Sequence, residues 1–174
     1  MALAAKRAGP DWICTVVARR RRWRYGGDMD SSPASFVSVR ARPPREGDVV
    51  ATDSHFELID LGDNIIYGRT FDEWDNDDVA RLSGALEALM ERPAQLGFIM
   101  DLREMESITL SARYQTATFM KGNRGRIRAT AVVVKDAKHR FTLQTLLRIS
   151  GRKNVKAVLS SEEGLDHLRQ MFGA

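Results

Sequence analysis

The sequence predicts a single α/β domain built on a mostly parallel sheet, and three observations carry that prediction. The runs Leu96 to Met100 and Ala129 to Val134 are apolar without polar alternation, as in strands covered on both faces. Segments with apolar residues at three- and four-residue spacing alternate with them. The chain has 174 residues, enough for one domain with a substantial core and too few for two comfortable ones. The order reads ββαβαβαβα: an N-terminal hairpin, then strands alternating with helices that cover the sheet, joined by right-handed crossovers.

The elements follow in order. HFELIDL, from His55, is a first strand, expected antiparallel at an edge of the sheet. Gly62-Asp63-Asn64 is a turn, and Asn64 to Thr70 pairs back as the second strand. Phe71 to Asp78 reads as an acidic connection. Asp75 or Asn76 caps the next helix, and Asp77 and Asp78 suit its first turn through the dipole. Val79, Leu82, Leu86, Leu89 and Met90 form its core stripe, and Pro93 closes it.

The central strand Leu96 to Met100 leads through Asp101 and a polar connection to a helix starting near Thr109. Gly122 and Gly125 interrupt the pattern before the β-branched strand Ala129 to Val134. Phe141, Leu143, Leu146, Leu147 and Ile149 mark a helix that stops at Gly151. Val155 to Leu159 is the last strand. Ser160 or Ser161 caps the final helix, with Leu165, Leu168, Met171 and Phe172 on its core face.

Residues 1–52 read as a disordered basic tail, and residues 53–174 as the domain. The tail has no sustained period, contains four of the five prolines, and runs Arg19 to Arg24 broken by Trp23. Residues 1–50 hold ten Lys and Arg against five acids, so of the formal net charge of +4 this segment supplies +5 and the remainder −1. A nucleic-acid argument from net charge therefore does not extend to the domain. Met29 follows Gly26-Gly27-Asp28, and translation is expected to start there. No apolar run approaches the roughly 20 residues of a membrane span. The single cysteine, Cys14, excludes an intramolecular disulfide and a cysteine-based zinc site, and fits a cytoplasmic location.

His55, His139 and His167 have no paired ligand spacing, so no metal site is expected. Gly122 and Gly125 precede a strand, the reverse of a dinucleotide fingerprint, and Ser150-Gly151 is a helix end and not a nucleophile elbow. No cofactor and no enzyme activity are expected. The site most worth weighing is the strand-loop-helix unit at Asp101, because α/β sheets gather their sites at the carboxyl ends of strands. Its polar residues Asp101, Arg103, Glu104, Glu106, Ser107, Thr109 and Ser111 form a candidate interaction surface. Serine and threonine here are also natural caps. Lys121, Arg124, Arg126 and Arg128 form a second candidate, a patch for an anion or an acidic partner.

FIMDLREMESITLSAR and RIRATAVVVKDAKHRFTLQTLLRISGR, with the order of elements from Phe56 to Phe172, resemble the STAS superfamily of anti-sigma-factor-antagonist-like domains. The second segment is similar to the bacterial SpoIIAA-like, STAS/Sec14-like group. The resemblance implies a regulatory domain that binds a protein partner. In family members that act as phospho-switches, an Asp-Ser pair opens the helix after the central strand. The alignment on Asp101-Leu102 puts Thr109 at the Asp and Leu110 at the serine. Leu110 has no hydroxyl, so that switch does not carry over. The expected function is a non-enzymatic protein-interaction domain, with charge reversal at Arg103 or Glu106 weakening capture without unfolding. The alternative is a small-molecule or lipid-binding domain of Sec14-like type.

Overall fold

The computed structural model describes residues 43–173. Ten elements follow one another: β1 Asp48–Thr52, β2 Phe56–Asp60, β3 Ile65–Trp74, α1 Asn76–Leu89, β4 Leu96–Ile108, α2 Leu110–Gly122, β5 Ile127–Val133, α3 Ala137–Ile149, β6 Val155–Val158 and α4 Ser161–Phe172. The six strands form one sheet in sequential order, β1-β2-β3-β4-β5-β6. The pairs β1–β2 and β2–β3 are antiparallel, and the pairs from β3 to β6 are parallel. The turn from β2 into β3 uses Gly62, Asp63 and Asn64, all at positive φ, a region that suits these three residue types.

Three strands differ from the sequence expectation. β1 lies inside the segment read as tail, so the edge belongs to β1 and the predicted first strand, β2, is interior. Residues 71–74, read as a connection, continue β3. Residues 102–108, read as a polar connection, continue β4, and Trp74 pairs with Ile108. β5 reaches only as far as Asp101 on β4, so these continuations form a two-stranded arm beyond the parallel sheet. Met105 and Ile108 pack against the core, which is why so polar a stretch stays extended. The expected start at Met29 lies outside the described residues.

Sequential parallel strands joined by right-handed crossovers place α1, α2 and α3 on one face. Phe56, Leu58, Ile66, Trp74, Leu82, Leu86, Phe98 and Ala112 make the core on that side. α4 follows the last strand and packs on the opposite face against β4, β5 and β6, over Ile59, Tyr67, Ile99, Ala131 and Val158. Gly164 allows the close approach: a Cβ there would sit 3.1 Å from that of Ala131 and 3.4 Å from Ile99. The helix starts are capped as their sequences indicate. Asp75 forms a reciprocal capping box with Asp78, and Thr109, Asp136 and Ser160 cap α2, α3 and α4. No described helix is long and apolar enough to cross a membrane.

Candidate functional site

Asp101 ends the buried part of β4, beside β3 and β5. Its side chain is 1% exposed and fully engaged. The Tyr67 hydroxyl donates to Oδ2 at 2.7 Å, and Arg103 donates through Nη2 to Oδ2 at 2.7 Å and through Nε to Oδ1 at 3.0 Å. The Arg103 backbone N–H adds a bond to Oδ1 at 3.1 Å, and Thr70 donates to the Asp101 carbonyl at 3.0 Å. Burial, then the Asp101 carboxylate, push the Tyr67 phenol up, so it stays protonated and donating. The hydrogen bonds to Asp101 hold the Arg103 guanidinium in its charged form. A carboxylate saturated with donors is neither a free base nor a contact residue. Asp101 therefore drops out of the interaction surface that the sequence suggests, and Arg103 serves the fold at this point.

The outer residues of that surface fall differently. Glu104 is half-buried, while Glu106, Ser107, Thr109 and Ser111 are exposed along the tip of the arm and the start of α2. The Thr109 hydroxyl accepts from the Ala112 N–H at 3.3 Å and lies 3.3 Å from the Ser111 hydroxyl. The Thr109 N–H donates to the Trp74 carbonyl at 3.0 Å, which fixes the helix start to the arm. Thr109 thus acts as a cap. Sequence reasoning missed the two apolar residues beside it: Leu110 is 83% exposed and Tyr114 is 78% exposed. They are one turn apart on α2 and so share a face. The signal was present, since Leu110 and Tyr114 stand on the opposite side of α2 from the buried Ala112.

The basic residues Lys121, Arg124, Arg126 and Arg128 do not converge. Lys121 and Arg124 are exposed at the end of α2. Arg126 Nη1 donates to the Met90 carbonyl at 3.2 Å, at the end of α1. The Arg128 guanidinium stacks 5.1 Å from the Phe172 ring centre on α4. They belong to a larger asymmetry instead. Residues 51–108 hold four Lys and Arg against fourteen Asp and Glu. Residues 109–161 hold twelve (Arg113, Lys121, Arg124, Arg126, Arg128, Lys135, Lys138, Arg140, Arg148, Arg152, Lys153 and Lys156) against Asp136 alone. Because the strands lie in sequential order, this division in sequence becomes one in space: an acidic part at β1 to β4 and α1, and a basic part at α2 to β6, on whose other face α4 brings Glu162, Glu163 and Asp166. A net charge near zero concealed it. Among the described residues no group of three His, Cys, Asp or Glu is placed to hold a metal ion.

No family model matches the sequence, and no curated protein matches it. Solved structures do. An uncharacterized protein from Shewanella loihica PV-4 with a SpoIIAA-like fold is 11% identical, with a TM-score of 0.54, covering 67% of this chain and 96% of that one. The anti-sigma factor antagonist SpoIIAA in its unphosphorylated form is 14% identical, with a TM-score of 0.48, covering 66% of this chain and 97% of its own. The fold is SpoIIAA-like, as the order of elements indicated.

Proposed function

We propose that this domain is a non-enzymatic, regulatory binding module that captures a protein on the outer face of α2 and the tip of the β3–β4 arm. The observation that carries this reading is the pair Leu110 and Tyr114, two large apolar side chains standing in water one turn apart at a fixed helix start. Aromatic and aliphatic anchors with a charged rim are the usual anatomy of a protein contact. The rim is acidic on the arm, where Asp72, Glu73 and Glu106 are exposed, with Arg113 exposed beside the pair on α2. A partner with an apolar pocket and basic margins fits it, and the rim charges would speed and select encounter more than they tighten the complex. Leu110 offers no hydroxyl for phosphate, so capture through this face is constitutive at that position.

The test uses the full chain as bait, wild type against Leu110→Glu, Tyr114→Glu and, as a control on α3, Ile149→Glu. Both α2 substitutions are expected to lower recovery of a specific partner by about tenfold or more, with helicity and melting temperature unchanged. Equal recovery by all four baits would remove α2 from the interface. A lipid-binding reading has less support, because the groove of about 640 Å³ beside α3 is rimmed by cations and would not hold an acyl chain well.

A further inference from the structure

β6 is an edge strand, and side chains take up an N–H group within it and another just past its end. The Ala157 N–H donates to Gln144 Oε1 on α3 at 3.2 Å, and the Leu159 N–H donates to Glu163 Oε2 on α4 at 3.2 Å. Another strand cannot add here without displacing them. What remains is a groove of about 640 Å³ along β6 between α3 and α4, within the size range of small-molecule sites.

The groove is built for negative charge. Arg140, Arg148, Arg152, Lys153 and Lys156 line it, drawn from α3, the following turn and β6. Glu163 lies nearby and binds Arg140 at 3.2 Å and Lys156 at 3.5 Å, and does not pair with the other three cations of the groove. Arg152 is positioned by a bond from Nη2 to the Ala117 carbonyl on α2, at 3.2 Å. Arg148 and Lys153 are exposed and make no ion pair among the described residues. His167 of α4 also lines the groove, and its Nε2 is out of water without a hydrogen-bond partner. An orphaned ring nitrogen beside a cluster of cations is a polar group awaiting a partner. Burial, then the nearby Lys156, hold the His167 imidazole below its ordinary value.

We infer that this groove is a binding site for a small phosphate-bearing ligand, its oxygens held by Arg148, Arg152 and Lys153 and its body lying along Leu147 and Val155. Guanidinium groups match phosphate oxygens in pairs, and several cations with one shared carboxylate suit a ligand of two or more negative charges. No Phe, Tyr or Trp lines the groove, so it lacks the platforms on which a single-stranded nucleic acid stacks. The site is separate from α2's exposed face, and its existence does not depend on that face binding a protein.

Calorimetric titration of the full chain with pyrophosphate, with ADP and with a short single-stranded DNA tests the assignment. Wild type is expected to bind pyrophosphate and ADP. Equal affinities would identify the phosphates alone as the ligand chemistry, and tighter binding of ADP an organic body as well. The double variant Arg148→Glu/Lys153→Glu is expected to weaken both by at least about tenfold. Lys135→Glu/Lys138→Glu makes the same change of charge at the other end of α3, outside the groove, and is expected to weaken them by less than about threefold. Thermal melts of both variants confirm folding. In proton spectra of the ring hydrogens, pyrophosphate is expected to shift His167 and to leave His55 and His139 in place. Equal weakening by the two double variants would show a diffuse field in place of a site and overturn the inference. Binding of the oligonucleotide alone, or no shift at His167, would overturn it as well.

Discussion

Arg103 shows how one side chain changes its meaning between sequence and structure. In the sequence it stands in a polar run after an apolar strand, and a surface contact is the natural reading. In the fold it forks onto Asp101, which is 1% exposed and has no water to replace a lost donor. Removing one partner of such a pair leaves an uncompensated charge in the interior. Arg103→Glu would add a second carboxylate against the first. Since Arg103 itself is about one-third exposed, solvent offsets part of the loss. The expected destabilisation is about 2–4 kcal/mol, read as a lower urea midpoint. Glu106 is exposed at the arm's tip, and Glu106→Lys is expected to stay within about 0.5 kcal/mol of wild type. Similar losses for both variants would mean that the Asp101 cluster does not hold β4. This replaces the expectation that charge reversal at Arg103 leaves the fold intact and keeps it for Glu106. The pairing was not legible because a strand interior cannot be told from a polar loop by charge content alone.

At the scale of elements, helix starts were the most legible feature, because a cap is a local interaction between a side chain and amides two or three residues on. Asp75, Thr109 and Ser160 were readable for that reason. The burial of a helix face was less so. The apolar residues of α3 marked it correctly as a helix, yet Leu147 is buried while Phe141 and Ile149 are 74% and 80% exposed. Periodicity reports that a helix has an apolar side; a neighbour must be present to cover it. α4 is the contrasting case, since Leu165 and Leu168 do meet the sheet. Its fit depends on Gly164, which faces Ala131, Ile99 and Val158. Gly164→Val would force α4 outward or push those side chains off their rotamers. Overpacking of this kind costs typically about 1–3 kcal/mol. A lower melting temperature is expected for Gly164→Val, together with a smaller loss for Gly164→Ala, whose single methyl meets its nearest neighbour at 3.1 Å. Equal stability of all three proteins would show that α4 does not press on the sheet there.

For the molecule as a whole, the sequential sheet turns position in the chain into position in space. That rule gives the charge division along the sheet, and it also places the first and last strands, β1 and β6, at opposite edges. β1 is where the sequence was hardest to read. DVVAT is five residues long, mostly exposed, and shifted in register between Val49 and Ala51, so it carries almost no periodic signal. It nonetheless pairs with β2 from Asp48↔Asp60 to Thr52↔Glu57, and Val50 and Ala51 pack against the core on the α1 side. Without it β2 would become the edge, with unpaired backbone groups and the buried Phe56, Leu58 and Ile59 closer to water. Two truncations separate the tail from the domain. Removing residues 1–42 is expected to leave the melting temperature unchanged within error, since that segment lacks the apolar period that a packed element requires. Removing residues 1–52 deletes β1 as well and is expected to lower it by about 5 °C or more, the size of one to two kcal/mol in a domain of this length. Aggregation at elevated concentration should accompany the second truncation alone, as a newly bared strand edge templates pairing between chains. If both truncations melted together at the wild-type temperature, β1 would be an ornament on the sheet, and the domain would begin at β2 as the hydrophobic pattern first indicated.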